Sequence, residues 1–243
     1  MKRDAFFVGW SGRSALPLAG FLALVVMLLL AGLGGLALAL GSTVNDPGGG
    51  DFTGDQALTG VLVADPYPVL LLDPDATHPA GHVVLLSGGG KRGVRPEAEP
   101  LAGMRVHAIG YGVKRGSLDM LLVDTLTAAP GDAPVPALVP LGTWRLTGEI
   151  CDGKCMLGVM RPGTGLAHKA CANICVGGGV PPVLVTTAPV AGERFLLIGD
   201  AGGHALPDAF RDHTAIPQRM DGTVERLGDL LVFRTDVSQA VDP

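Results

Sequence analysis

Leu146-Thr147-Gly148 restates Leu58-Thr59-Gly60, and the chain runs the same course after each triplet. Pro66-Tyr67-Pro68 leads into Val69-Leu70-Leu71, as Val180-Pro181-Pro182 leads into Val183-Leu184-Val185. His82-Val83-Val84-Leu85-Leu86, followed by Ser87-Gly88-Gly89-Gly90, matches Phe195-Leu196-Leu197-Ile198, followed by Gly199-Asp200-Ala201-Gly202-Gly203. Each half closes with a basic turn and an apolar strand, at residues 113–122 and 224–233. Short apolar runs bounded by Gly, Pro and Asp read as strands joined by tight turns. The expected fold is therefore mainly β, with two tandem small OB-like β-barrel domains. The first spans residues 56–126 and the second 143–243. Residues 127–142, with Pro130, Pro134, Pro136 and Pro140, read as a semi-rigid Pro-rich linker. Barrels of about 70 residues are small, so the two are expected to pack on each other.

The repeat locates an insertion. Thr59 to Pro68 spans nine positions, whereas Thr147 to Pro182 spans thirty-five. The extra residues, 151–177, hold all four cysteines: Cys151-x3-Cys155-x12-His168-x2-Cys171-x3-Cys175. One barrel closes without such a segment, so this one is free to carry function. The part after Ala167 has the length for about two helical turns. On them His168, Cys171 and Cys175 share one face, with Cys155 or Cys151 approaching from the strand end.

Three readings of the segment stay open. Two disulfides would staple an insertion that has no core of its own. A metal would be held by three cysteines and the histidine or by four cysteines, as zinc or an iron–sulfur centre. One disulfide would leave a reactive or haem-contacting pair. The x3 spacing excludes a thioredoxin-type Cys-x-x-Cys and a Cys-x-x-Cys-His haem attachment site.

Residues 15–40 carry no charge and are rich in Leu, Ala and Val. About 20 such residues cross a bilayer as a helix. Lys2, Arg3 and Arg13 precede them against Asp4, and Asp46, Asp51 and Asp55 follow. The positive-inside rule then expects a cytoplasmic N-terminus (1–14), a single transmembrane helix (15–40), a Gly-bearing tether (41–55) and a periplasmic bulk in a bacterial inner membrane. A cleaved signal peptide is the rival, with Ala37-Leu38-Ala39 as the cleavage site. Its apolar region would be longer than the usual 7–15 residues. Ala31, Gly35 and Ala39 form a small-residue stripe suited to another membrane helix.

The whole chain has 18 basic and 23 acidic residues. Removing the three bases and one acid of residues 1–14 leaves 15 and 22, a net of −7 that excludes nucleic acid as a partner. There is no Gly-x-Ser-x-Gly and no plausible Ser/His/Asp order, so no catalytic residue is assigned. Gly88-Gly89-Gly90-Lys91-Arg92-Gly93 lacks the Lys-Ser/Thr ending of a P-loop and reads as a hairpin tip. His78 and His82, separated by Pro79 and Gly81, read as a solvated loop.

The run Gly158-Val159-Met160-Arg161-Pro162-Gly163, then His168-Lys169-Ala170-Cys171-Ala172, then Gly178-Gly179-Val180-Pro181-Pro182, resembles a group of single-span bacterial envelope proteins of unassigned function. Phe6-Phe7-Val8-Gly9 before the anchor is similar as well. That resemblance implies association with membrane cytochrome and molybdopterin oxidoreductase systems. The expected function is a non-catalytic accessory subunit docked on an integral membrane redox complex. The alternatives are a metal-binding electron carrier or enzyme, and an envelope metal-handling or assembly factor.

Overall fold

The computed structural model describes residues 5–7, 13–43, 49–131, 134 and 137–243. The chain divides into two units, Met1–Asp46 and Pro47–Pro243.

In the first unit Ala5–Phe7 (β1) pairs antiparallel with Arg13–Pro17 (β2), a pairing that the sequence alone did not suggest. Leu18–Thr43 (α1) follows. Its stretch Leu18–Leu38 is 21 residues long with a mean hydropathy of 2.6. At 1.5 Å per residue that is about 31 Å, the thickness of a bilayer's hydrocarbon core. The helix is thus long and apolar enough to cross a membrane, a property that a signal sequence shares. Leu28, Leu30 and Leu38 are exposed on it, as a lipid solvent would favour. Ala31 and Gly35 are exposed too, while the side chain of Ala39 lies outside the described residues.

The second unit holds two closed five-stranded barrels. The first uses Asp51–Val63 (β3), Val69–Leu72 (β4), Val83–Ser87 (β5), Arg105–Arg115 (β6) and Leu118–Ala128 (β7), with a short helix Arg95–Ala98 (α2) between β5 and β6. The second uses Val139–Asp152 (β8), Pro182–Val190 (β9), Glu193–Gly199 (β10), Pro217–Leu227 (β11) and Leu230–Thr235 (β12). Their orders are identical. In each, the first strand pairs antiparallel with the second and fourth, the third runs parallel to the fifth, and the fourth and fifth form a hairpin. Several boundaries differ from expectation. β3 begins at Asp51, inside the stretch read as tether, and β8 begins at Val139, inside the Pro-rich stretch.

The repeated triplet has a steric cause. A Cβ at Gly60 would lie 2.1 Å from the carbonyl oxygen of Leu71, and one at Gly148 would lie 2.5 Å from that of Val185. The first strand of each barrel crosses its neighbour at this point so closely that only glycine fits.

The apolar runs are buried on both faces. Leu62, Leu70, Leu86 and Leu121 fill the first barrel, and Ile150, Leu184, Ile198 and Phe233 fill the second. Alternate residues of the same strands point outward into a third cluster, to which both barrels contribute. Its members come in equivalent pairs by strand register: Val69 and Val183, Val83 and Phe195, Leu85 and Leu197, Leu118 and Leu230, Met120 and Val232. The barrels therefore share one core and are parts of a single unit.

His82 closes the rim of this shared core. Its Nδ1 is 2.6 Å from Asp229 Oδ2 of the second barrel, and its Nε2 is 2.9 Å from Asp119 Oδ2 of the first. Asp229 Oδ1 also accepts from the Val83 N–H at 2.9 Å. His78, expected like His82 in a solvated loop, stacks on it at 5.6 Å between ring centroids. The two carboxylates hold the His82 pKa up to about 9, against burial. A raised histidine pKa stabilises the fold fully below 6.5, and that contribution is lost as the pH climbs through about 9. After discounting for solvent screening, this is worth about 1–2 kcal/mol. Urea denaturation should show the wild type losing that much more stability than His82→Gln between pH 6.5 and a pH above about 9. Parallel losses in the two proteins would rule out the bridge.

Candidate metal centre

The insertion leaves the barrel after Asp152, the last residue of β8. Strand alternation decides which cysteine joins the site. Ile150 points into the second barrel, so Cys151 points the other way, into the shared core. The Cys151 Sγ lies 3.3 Å from Glu149 Oε1, and burial together with Glu149 pushes its thiol well above the ordinary range. It belongs to none of the potential ligand groups among the described residues.

Asp152 is fully buried and organises the start of the insertion. Its Oδ1 accepts from the Cys155 N–H at 2.8 Å, opening a wide helical turn over Cys155–Val159. Its Oδ2 is 2.8 Å from Nε2 of His168, itself 2 % exposed. His168 directly precedes the helix Lys169–Gly177 (α3), on which Cys171 and Cys175 lie one turn apart. The helix stops at glycines: Gly178 N–H donates to Ile174 O, and Gly179 has φ +90°.

The ligand atoms of Cys155, His168 and Cys171 lie within 4.8 Å of one another, and so do those of Asp152, Cys155 and Cys175. Cys155 is common to both groups, so three thiols, one imidazole and the Asp152 carboxylate gather around it. Val180 packs behind Cys155 and Cys175. Cys171 is the half-exposed member, with Met160 Sδ 3.4 Å from its Sγ. All four cysteines are free thiols.

The first barrel closes the other side. Lys91 Nζ donates to Cys171 Sγ at 3.2 Å. Lys154 is buried, and its Nζ donates to the carbonyls of Gly88 and Gly90, the latter at 2.8 Å. Gly93 N–H donates to Gly178 O at 2.8 Å. A Cβ on Gly93 or Gly178 would lie 2.0 Å from a carbonyl oxygen of the facing segment. The turn at residues 88–93, expected to be a bare hairpin tip, instead interlocks with the glycines that end α3.

The electrostatics suit a cation. Burial, then Asp152, then the neighbouring sulfurs push the Cys155 thiol far above its ordinary range. Burial, Asp152 and Cys171 push Cys175 up to about 12. Such thiols ionise when a metal replaces the proton. With Nε2 of His168 turned to Asp152, Nδ1 is the nitrogen left to ligate, the usual carboxylate–histidine–metal arrangement. The residues could therefore hold a soft or borderline ion through Cys155 with His168 and Cys171, or through Cys155 with Cys175 and Asp152.

Sequence reading singled out Cys151, Cys155, His168, Cys171 and Cys175 as disulfide or metal residues; the structure sets Cys151 apart and adds Asp152, Lys91 and Lys154, which sequence reading missed. An acid and a base inside Cys151-Asp152-Gly153-Lys154-Cys155 were the available signal. Comparison with protein-family models, with curated proteins and with solved structures gives no match.

Proposed function

We propose that this protein is a membrane-tethered, periplasm-facing accessory subunit of a membrane redox complex, with a metal centre at Cys155, His168, Cys171 and Cys175 that shapes its docking element. The observation that carries this reading is the gathering of Cys171, His168, Cys175 and Asp152 around Cys155, in two overlapping groups, in a segment that a sibling barrel lacks. The ion would be structural, because the protein supplies four ligands and leaves no position for a substrate. A single ion fits better than an iron–sulfur cluster, which usually asks for four thiolates. Cys151, facing the shared core, does not supply the fourth. The two barrels, ordered first-second-third-fifth-fourth, read as a duplicated OB-like module serving as scaffold.

The half-exposure of Cys171 beside Met160 favours a second reading, an envelope metal-handling factor with an exchangeable ion. The test uses the full chain extracted from membranes in detergent. About one metal ion per chain, exchanging over hours or more against a chelator, is expected for the structural centre. Exchange within seconds would favour metal handling, and intact protein without metal would defeat both readings. In the same cells, a reporter fused after Pro243 should be active only in the periplasm. A cytoplasmically active reporter would sink the topology.

A further inference from the structure

The insertion also carries an uncovered apolar face. The exposed positions of α3 and of the turn leading into it are Leu166, Ala167, Ala170, Ile174 and Gly177. They recur every three or four residues, so they form one stripe, and none has a polar side chain. Leu166 is 72 % exposed and Ile174 59 %, the two most exposed large apolar side chains outside α1 among the described residues. Met160, exposed as well, joins the stripe at Cys171, whose Sγ lies 3.4 Å from its Sδ.

The charges around this face run against the rest of the molecule. Residues 153–192 hold three bases and no acid, and so do residues 76–96, although the chain beyond residue 14 has a net charge of −7. The two segments meet where the Gly93 N–H donates to Gly178 O. Arg161 follows Met160, and Arg92 follows the lysine that reaches Cys171. Both arginines are exposed and have no ion-pair partner among the described residues. A guanidinium stays charged at any working pH. Salt screens charges beyond about 8 Å, so this local excess outweighs the acidity of the whole unit. Apolar side chains rimmed by arginine match an anionic lipid surface, where the first enter the acyl boundary and the second sit among phosphates.

A bilayer that holds α1 is also within reach of the insertion. Gly50 packs on it, since a Cβ there would lie 1.8 Å from the carbonyl oxygen of Leu157. Seven residue steps separate Gly50 from Thr43, the last residue of α1, at most about 25 Å of extended chain. Resting on the membrane-tethered reading proposed above, we infer that the exposed face of α3, with Met160, Arg92 and Arg161, is a docking surface for anionic phospholipid. A surface of this size binds weakly by itself. The tether makes the contact intramolecular and so raises its occupancy.

The test reconstitutes the full chain in vesicles of phosphatidylcholine alone or of phosphatidylcholine with phosphatidylglycerol. Both carry lipid brominated in the upper acyl chain, which quenches indole fluorescence on contact. Leu166→Trp is placed in a Trp10→Phe background, and Trp10→Phe alone gives the signal of Trp144. The indole at position 166 should be quenched with phosphatidylglycerol present and severalfold less without it. Arg92→Gln combined with Arg161→Gln should remove most of that difference, since each base near an anionic surface changes affinity about fivefold. All three substituted positions of the second unit are exposed, so the fold stays intact. Emission that brominated lipid leaves unchanged, or quenching equal in the two vesicles, overturns the inference while the tethered reading stands. Deuterium-exchange protection of residues 159–175 in native membranes but not in the vesicles also overturns it, because a protein partner then covers the face. A chain that alkaline carbonate strips from the vesicles removes the tethered reading and the inference together.

Discussion

Cys155→Ala should leave the purified protein without metal, whereas Cys151→Ala should retain about one ion per chain. The two cysteines are four residues apart and share one sequence pattern. Only the strand separates them. Cys151 is still within β8 and follows its alternation into the shared core, whereas Cys155 lies beyond the strand on the turn that Asp152 opens. Losing one of three thiolates should lower affinity by about 100-fold or more, since even outer-shell partners are worth about 10–100-fold. Asp152→Asn should fall in that outer-shell range, because it keeps the shape but weakens the hold on His168 Nε2. Cys151→Ala should cost only about 1 kcal/mol of packing. Metal quantification on the three variants, with a thermal melt to confirm folding, reads all of this. Metal lost from Cys151→Ala and kept by Cys155→Ala would mean that the ligands are misassigned.

The repeat made the likeness of the two halves legible, though not their strand order, because the same physical demand recurs twice. A glycine must stand where the first strand meets a carbonyl of the second, and an apolar run must follow each Pro-bearing turn. The insertion was legible as a difference in length between the copies. The helical face of His168, Cys171 and Cys175 was legible from spacing. What spacing does not carry is the partner across the fold. Lys91 precedes Cys171 by 80 positions, and nothing local marks it as a neighbour. Asp152 was hidden for a different reason. A carboxylate beside a cysteine usually faces water, and here it is buried against His168 and the Cys155 N–H, contacts that spacing does not reveal. The shared core was half visible. Val83-Val84-Leu85-Leu86 is apolar at every position, which a strand wet on one face cannot tolerate. That run implied a second covered face, and the covering turned out to be the sibling barrel.

Separated from each other, the barrels should fail to fold as monomers. Residues 49–128 alone would expose seven side chains of the shared core, Tyr67, Val69, Val83, Leu85, Val113, Leu118 and Met120. The second barrel with its insertion would expose nine, from Cys151 through Val232. At about 1.5–3 kcal/mol for each large apolar side chain, seven amount to roughly 10–20 kcal/mol as an upper estimate. That equals or exceeds the 5–15 kcal/mol that holds a typical domain together. The pairing of equivalent positions adds a sharper expectation. Because Leu85 faces the cluster as Leu197 does, and Met120 as Val232 does, each exposed patch resembles the partner that it has lost. An isologous contact between two copies needs that kind of self-complementarity. Any fraction of an isolated barrel that stays folded should therefore be dimeric, and co-expression of the two halves should restore a heterodimer in preference. Near-UV circular dichroism, chemical denaturation and sedimentation on the separate and mixed fragments would read this. A fragment that unfolds cooperatively as a monomer would show that the shared core is a contact between self-sufficient domains and not the core of one unit.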